Sequence, residues 1–259
     1  MRVLITDNVS EKGVKLMQEA GMQVDQKVGI SEDEIVAIIE NYDALVVRSQ
    51  TKVTRRIIEA GTSLKVIGRC GVGVDNIDVQ AATEKGIIVV NAPEGNTIAA
   101  TEQTMALVLA LARHTPQAHM CLVNGKWDRK TYTGVELKGQ TLGILGLGKI
   151  GSGVAKRALA FEMKVMAYDP FVSPEKAQSM GVEMADLDTI FKEADFISVH
   201  LPLNNETRNI IDAEAIAKMK PSVRLINVAR GGVINEQDLY EALKECRIAG
   251  AAIDVWEKE

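Results

Sequence analysis

The chain has 259 residues, 46% of them hydrophobic and 25% charged, with a net charge of −5. That length accommodates two lobes of ordinary domain size, each with its own core. So mild a charge leaves no footprint for nucleic acid or an anionic membrane. Cys70, Cys121 and Cys246 stand far apart with neither CxxC nor metal-ligand spacing. They read as reduced thiols of a cytoplasmic protein, and no metal site is expected.

The opening MRVLITD lacks the long apolar core of a signal peptide and reads as a first strand. Further strands are predicted near 23–26, 43–47, 65–69 and 87–90, separated by helices near 11–20, 31–40, 54–60 and 78–85. Ser31-Glu32-Asp33-Glu34 is a capping box, and Gly61 and Gly86 have the look of helix stops. Pro93 and Gly95 then break the pattern, marking a hinge between a first domain at 1–95 and a second at 96–259. A long apolar helix at 97–113 follows. Its run from Met105 to Ala112 is too short to span a bilayer and is expected to be buried. After a helix near 115–124 and an exposed segment to Gly134, strands are predicted at 141–145, 163–168, 195–199, 223–227 and 248–254. Helices near 149–161, 173–180, 186–193, 212–219 and 235–246 lie between them. Such alternation predicts an α/β protein with a parallel sheet of βαβ units in each lobe.

Residues 141–151, TLGILGLGKIG, place Gly146, Gly148 and Gly151 between an apolar strand and a helix-forming stretch, and a second strand ends in Asp169. In that context the pattern is a dinucleotide-binding fingerprint. The first glycine permits a tight turn, the second lets backbone approach a pyrophosphate, and the third lets helix and strand pack closely. The amides around Lys149 and Ile150 would point at the phosphates, favoured by the helix dipole. Asp169 would accept from an adenosine ribose and repel a 2′-phosphate, and Pro170 and Phe171 follow where an NADP site would want an arginine. NAD is therefore the expected cofactor.

Ligands of such sheets bind beyond the carboxyl ends of the strands. Gly146, Asp169, His200 with Leu201, Val228-Ala229-Arg230 and Asp254 all stand there. Arg230, in NVARGG, ends a strand and precedes two glycines, so its fork is expected to meet a carboxylate or keto acid bidentately. The competing structural role is to satisfy a loop carbonyl.

Together, LVVRSQTKVT at 45–54, GRCGVGVDNID at 68–78, GILGLGKIG, NVARGG and GGVINEQDLYEAL resemble the D-isomer-specific 2-hydroxyacid dehydrogenases over the whole chain. The resemblance implies a flavodoxin-like substrate lobe, a Rossmann NAD lobe and catalysis in the cleft between them. It also implies a small-molecule substrate, a phosphorylated 2-hydroxy acid, and a homodimer formed through the NAD lobe. It places the substrate arginine on Arg230, the catalytic glutamate on Glu259 and the acid for the nicotinamide carboxamide on Asp254. Backbone amides of the Cys70-Gly71-Val72-Gly73 turn would hold the substrate carboxylate, with Val72 also beside the cofactor. Arg48 and Arg69 end first-lobe strands and supply the positive charge that a phosphate needs. Asn96 becomes a substrate contact, and Arg129, in KWDRK, matches a position that reaches a partner subunit's site.

The family's acid/base histidine lies in a Pro-His segment beyond its glutamate, and His114, His119 and His200 do not match it. The expectation is therefore of a chain that ends before that histidine and shows binding without turnover as it stands. Two other readings keep the same fold: a dehydrogenase of unphosphorylated glycerate or hydroxypyruvate type, and a non-catalytic NAD-sensing binding protein.

Overall fold

The computed structural model describes residues 1–258, and Glu259 lies outside the described residues. The chain forms two compact units, Met1–Asn96 and the part from Thr97 onward.

The first unit carries β1 (Arg2–Ile5), β2 (Gln23–Gln26), β3 (Ala44–Val47), β4 (Val66–Arg69) and β5 (Ile88–Asn91). They pair in parallel in the order β2-β1-β3-β4-β5, the flavodoxin-like order expected. Helices α1 (Glu11–Glu19), α2 (Glu32–Ile38), α3 (Arg55–Ala60) and α4 (Val79–Glu84) make the crossovers. Leu4, Ile5, Leu45, Val47 and Ile67 are fully buried, because a central parallel strand is covered on both faces and has to be apolar throughout. The capping box forms as read: Glu34 N–H donates to Ser31 Oγ, and Glu34 Oε2 accepts from Ser31 N–H at 2.8 Å. Gly86 takes a left-handed φ of 69° after α4. Gly61 also ends its helix as read, but not through a left-handed turn. It caps α3 with φ −78°, and its lack of a side chain serves close packing, since a Cβ there would press on Leu64 and Ile39.

The second unit opens with α5 (Thr97–Arg113) and α6 (Thr115–Val123), joined at His114 in a left-handed conformation. Its strands are β6 (Thr141–Leu145), β7 (Lys164–Tyr168), β8 (Glu183–Met184), β9 (Phe196–Val199), β10 (Arg224–Asn227) and β11 (Gly250–Ile253). The order β11-β10-β9-β6-β7-β8, all parallel, is that of a doubly wound Rossmann sheet. Helices α7 (Lys149–Ala160), α8 (Pro174–Ser179), α9 (Leu187–Glu193), α10 (Ala213–Ala217) and α11 (Glu236–Lys244) connect them. The strand β8 was not anticipated; two residues, one a glutamate, carry no readable alternation.

α5 packs against α7 and the β10–β11 end of the sheet. Thr101, Thr104, Met105, Val108 and Ala112 form its buried stripe. The two threonine hydroxyls donate back to the carbonyls of Thr97 and Ala100 at 2.7 and 2.8 Å, so they enter the interior satisfied. Gly153 of α7 makes the approach possible, for a Cβ there would fall 2.7 Å from Thr101 Oγ1. Among the described residues no helix is long and apolar enough to cross a membrane.

Register then aligns the strand ends. Leu145 pairs with Tyr168 on one side and Val199 on the other, Val199 with Asn227, and Asn227 with Ile253. The five residues that follow this rank are Gly146, Asp169, His200, Val228 and Asp254.

Candidate active site

In the second unit Asp169, His200, Arg230 and Asp254 stand at or just past the ends of four strands, and the turn after β6 is built first. Gly146 has φ 96°, and a Cβ on it would lie 2.8 Å from the His200 carbonyl oxygen. A Cβ on Gly151 would strike the Gly146 carbonyl, so helix α7 can start this close to the strand only with glycine there. Gly148 is different. It caps α7 without a side chain, in an extended conformation at φ −70°, and a Cβ on it would meet nothing within 4 Å. The space above Gly148, at the first turn carrying Lys149 and Ile150, is open to a ligand, and the helix dipole makes it favourable for an anion. The site therefore fits a pyrophosphate by the test of which glycine is walled in and which is not.

Asp169 closes the turn from the neighbouring strand. Its Oδ2 accepts from Leu147 N–H at 2.8 Å and its Oδ1 from Phe171 N–H at 2.9 Å. Each carboxylate oxygen has two acceptor sites, so these bonds fix the group's orientation and leave capacity for a ribose hydroxyl. Next along the edge, His200 donates its backbone N–H to Leu145 O at 2.7 Å, and its Nε2 lies 2.9 Å from Ser198 Oγ. Burial lowers its pKa to about 4, because an interior that cannot solvate imidazolium favours the neutral ring. His200 thus shapes the edge as a neutral group, and Leu201 beside it is buried.

The turn after β10 depends on Asn227, a residue the sequence reading did not single out. It is 2% exposed. Its Oδ1 accepts from Ala229 N–H at 3.0 Å, its Nδ2 donates to Arg230 O at 2.8 Å, and its main-chain carbonyl accepts from Asp254 N–H at 3.0 Å. Arg230 Nη1 donates to Ala229 O at 2.7 Å, so the loop-satisfying bond weighed above is present. A Cβ on Gly231 would collide with the backbone of Trp256 and Glu257, which lies directly against this loop. Asp254 Oδ1 accepts from Gln103 Nε2 at 3.0 Å, another contact the sequence did not suggest.

The first unit has its own cluster at the carboxyl ends of β1, β3 and β4. Asp7, 2% exposed, accepts from the N–H groups of Arg48 and Thr51 and from the Thr51 hydroxyl. Asn76 donates to the carbonyls of Arg48 and Thr51 at 2.7 and 2.6 Å and accepts from Arg69 Nε at 3.3 Å. Arg69 lies over Gly71, where a Cβ would meet its guanidinium. Arg48 is exposed, with Nη1 3.4 Å from Asn8 O. The Gly71–Gly73 turn is half-buried and pinned to β5: Ala92 N–H donates to Gly71 O, and Asn91 Nδ2 to Val72 O. Asp7 and Asn76 went unassigned in the sequence, although an acid ending the first strand was legible in MRVLITD. Asn96 is exposed at the end of this unit. Arg129 belongs to the exposed segment after α6, beside a surface cavity of about 270 Å³ lined by Cys121, Trp127 and Tyr132. Glu259 falls outside the described residues. Among those described, no group of three His, Cys, Asp or Glu side chains is placed to hold a metal.

Residues 105–259 match the model of the D-isomer specific 2-hydroxyacid dehydrogenase, NAD binding domain. The chain belongs to this family. A D-3-phosphoglycerate dehydrogenase of Synechocystis is 53% identical over 258 residues, covering 100% of this chain and 46% of that protein. A hydroxypyruvate reductase of Thermotoga maritima is 49% identical over 258 residues, covering all of this chain and 83% of its own length. Among solved structures, D-lactate dehydrogenase from Aquifex aeolicus, complexed with NAD and lactic acid, superimposes with a TM-score of 0.87 at 32% identity, over 99% of this chain and 77% of that one. The chain spans about half the length of the D-3-phosphoglycerate dehydrogenases it matches.

Two expectations follow from the edge geometry. Gly148→Ala keeps a melting temperature near that of the parent while NAD affinity, measured by calorimetry, falls more than tenfold; Gly151→Ala destabilises by about 1–3 kcal/mol through overpacking, whatever its effect on binding. For His200 the unfolded chain binds a proton near the ordinary histidine pKa of about 6.5 and the native state only near 4. Its contribution to stability is therefore complete above about pH 6.5 and is lost as the pH falls from there towards 4. An NMR titration in which the His200 ring protonates above pH 6 is incompatible with this assignment.

Proposed function

We propose that the protein is an NAD-dependent dehydrogenase that oxidises D-3-phosphoglycerate to 3-phosphohydroxypyruvate. The observation that carries this reading is the second unit's edge: an open Gly148 above the start of α7, Asp169 in place on the next strand, and Arg230 and Asp254 on the two strands beyond β9. Bound NAD supplies the hydride acceptor for the substrate's C2–H. The chain's own groups bind and orient the ligands. The first turn of α7 at Lys149 and Ile150 receives the pyrophosphate, Asp169 the adenosine ribose, and Asp254 the nicotinamide carboxamide. Leu201, Val228 and Ala229 line the same edge with the neutral His200, and Val72 is also assigned to the cofactor.

Arg230 binds the substrate's carboxylate and C2 oxygen, since a guanidinium stays charged at any working pH and matches planar oxygen pairs. Arg48 and Arg69, with the Gly71–Gly73 amides and Asn96, recognise phosphate and carboxylate. The hydroxyl proton passes to an imidazole that Glu259 keeps protonatable through its negative charge, a position that none of His114, His119 and His200 matches. The names of the relatives at about 50% identity support phosphoglycerate as substrate. One specific observation favours a second reading, an unphosphorylated hydroxypyruvate or glycerate: the Thermotoga maritima protein is nearly as similar and is covered over much more of its length.

Assembly as a homodimer and a cytoplasmic location belong to the same reading. Met120, Leu122, Val123 and Trp127 are apolar and exposed in and just after α6, which suits a subunit contact that brings Arg129 to a partner.

Titration with both cofactors is expected to favour NAD over NADP, and Asp169→Ala to narrow the gap; equal affinity in the parent removes Asp169 from the ribose. Substrate choice is read from Arg48→Ala in steady-state kinetics on the active enzyme. KM for 3-phosphoglycerate is expected to rise at least tenfold more than KM for D-glycerate, the loss of one charge-assisted phosphate contact. Equal effects on both favour the unphosphorylated substrate.

A further inference from the structure

Gln103 belongs to no motif, yet its side chain donates to Asp254 from 151 residues away. The carboxylate stands at the end of β11, where its backbone is held by Asp254 N–H donating to Asn227 O. That bond fixes where the side chain starts but not where its oxygens turn. α5 supplies the missing constraint. Its buried stripe, including Thr104 and Val108, sets the helix against β10 and β11, and Gln103, on the adjoining exposed face, reaches Asp254 Oδ1 at 3.0 Å. Both side chains are exposed, so burial does not force the pairing.

The chemistry of the donor is informative. Gln103 offers a primary carboxamide, the same group that nicotinamide carries. A carboxylate has about four acceptor positions over its two oxygens, so the protein's amide on Oδ1 leaves Oδ2 able to accept the ligand's. The donor is also neutral. A lysine at 103 would cancel the charge of Asp254, whereas glutamine leaves it to attract a positively charged pyridinium ring.

We infer that Gln103 is a positioning residue for the nicotinamide half of the cofactor: it anchors one oxygen of Asp254 so that the other is presented, fully charged, to the carboxamide. This rests on the NAD reading above and adds to it a residue of α5. The role predicts selectivity within the cofactor. Losing the Gln103 amide leaves the pyrophosphate turn and Asp169 intact, so only ligands that carry nicotinamide should notice.

The test is calorimetric titration of the protein and its Gln103→Met and Gln103→Leu variants with NAD and with ADP-ribose, which lacks the nicotinamide. The expected result is an NAD affinity about tenfold lower in both variants, the scale of a lost hydrogen bond to a charged group. ADP-ribose affinity and melting temperature should match the parent. Variants that lose NAD and ADP-ribose alike, or lose neither, overturn the inference while leaving the NAD reading standing. A parent protein that binds NAD no better than ADP-ribose overturns the assignment of Asp254 and the inference with it.

Discussion

A buried carboxamide has to find partners for both of its polar atoms, and Asn227 satisfies that demand in a way that organises the whole edge. An unpaired amide at 2% exposure would cost about 1–3 kcal/mol. Its oxygen and nitrogen are instead spent on Ala229 N–H and Arg230 O, folding the turn after β10 back on itself. Its main-chain carbonyl takes Asp254 N–H. The arginine proposed for substrate and the acid proposed for nicotinamide therefore hang from one buried residue. Asp7 plays the corresponding part in the first unit, a buried carboxylate whose acceptors hold the backbone of Arg48 and Thr51.

Charge follows the same division between fixed and presented groups. Asp169 and Asp254 each have at least one oxygen tied to the protein, Asp169 by backbone amides and Asp254 by a side-chain amide. None of these donors carries a charge, so orientation is secured without neutralising either carboxylate. His200, kept neutral by burial, adds no positive charge between them. A cofactor with a cationic ring and two hydroxyl-rich riboses finds its acceptors already aimed, which lowers the ordering cost of binding.

The fold was legible because its physics is local. Central parallel strands read as short apolar runs, the glycines sit where the backbone needs them, and Ser31 with Glu34 announces a helix start. β8 was not, since Glu183 and Met184 are too few to show a period. Gly61 was read as a helix stop and is one, but the reason for its small size lies in Leu64 and Ile39, neighbours that only packing reveals. In the site, Gly146, Gly148, Gly151 and Asp169 were legible from their spacing around one strand–turn–helix. Asn227 and Gln103 were not. An asparagine at a strand end looks like any other, and nothing in seventeen helical residues marks the one that reaches a strand far along the chain.

Gly231 has no side chain because the backbone of Trp256 and Glu257 occupies that place. The arginine turn and the chain leaving β11 consequently share one surface with no slack between them. The placement of the Arg230 turn is therefore tied to the path taken after Ile253 as well as to its own hydrogen bonds. Arg48 is held more loosely: its side chain is exposed and donates to the Asn8 carbonyl at 3.4 Å, so its reach can change without moving a packed turn.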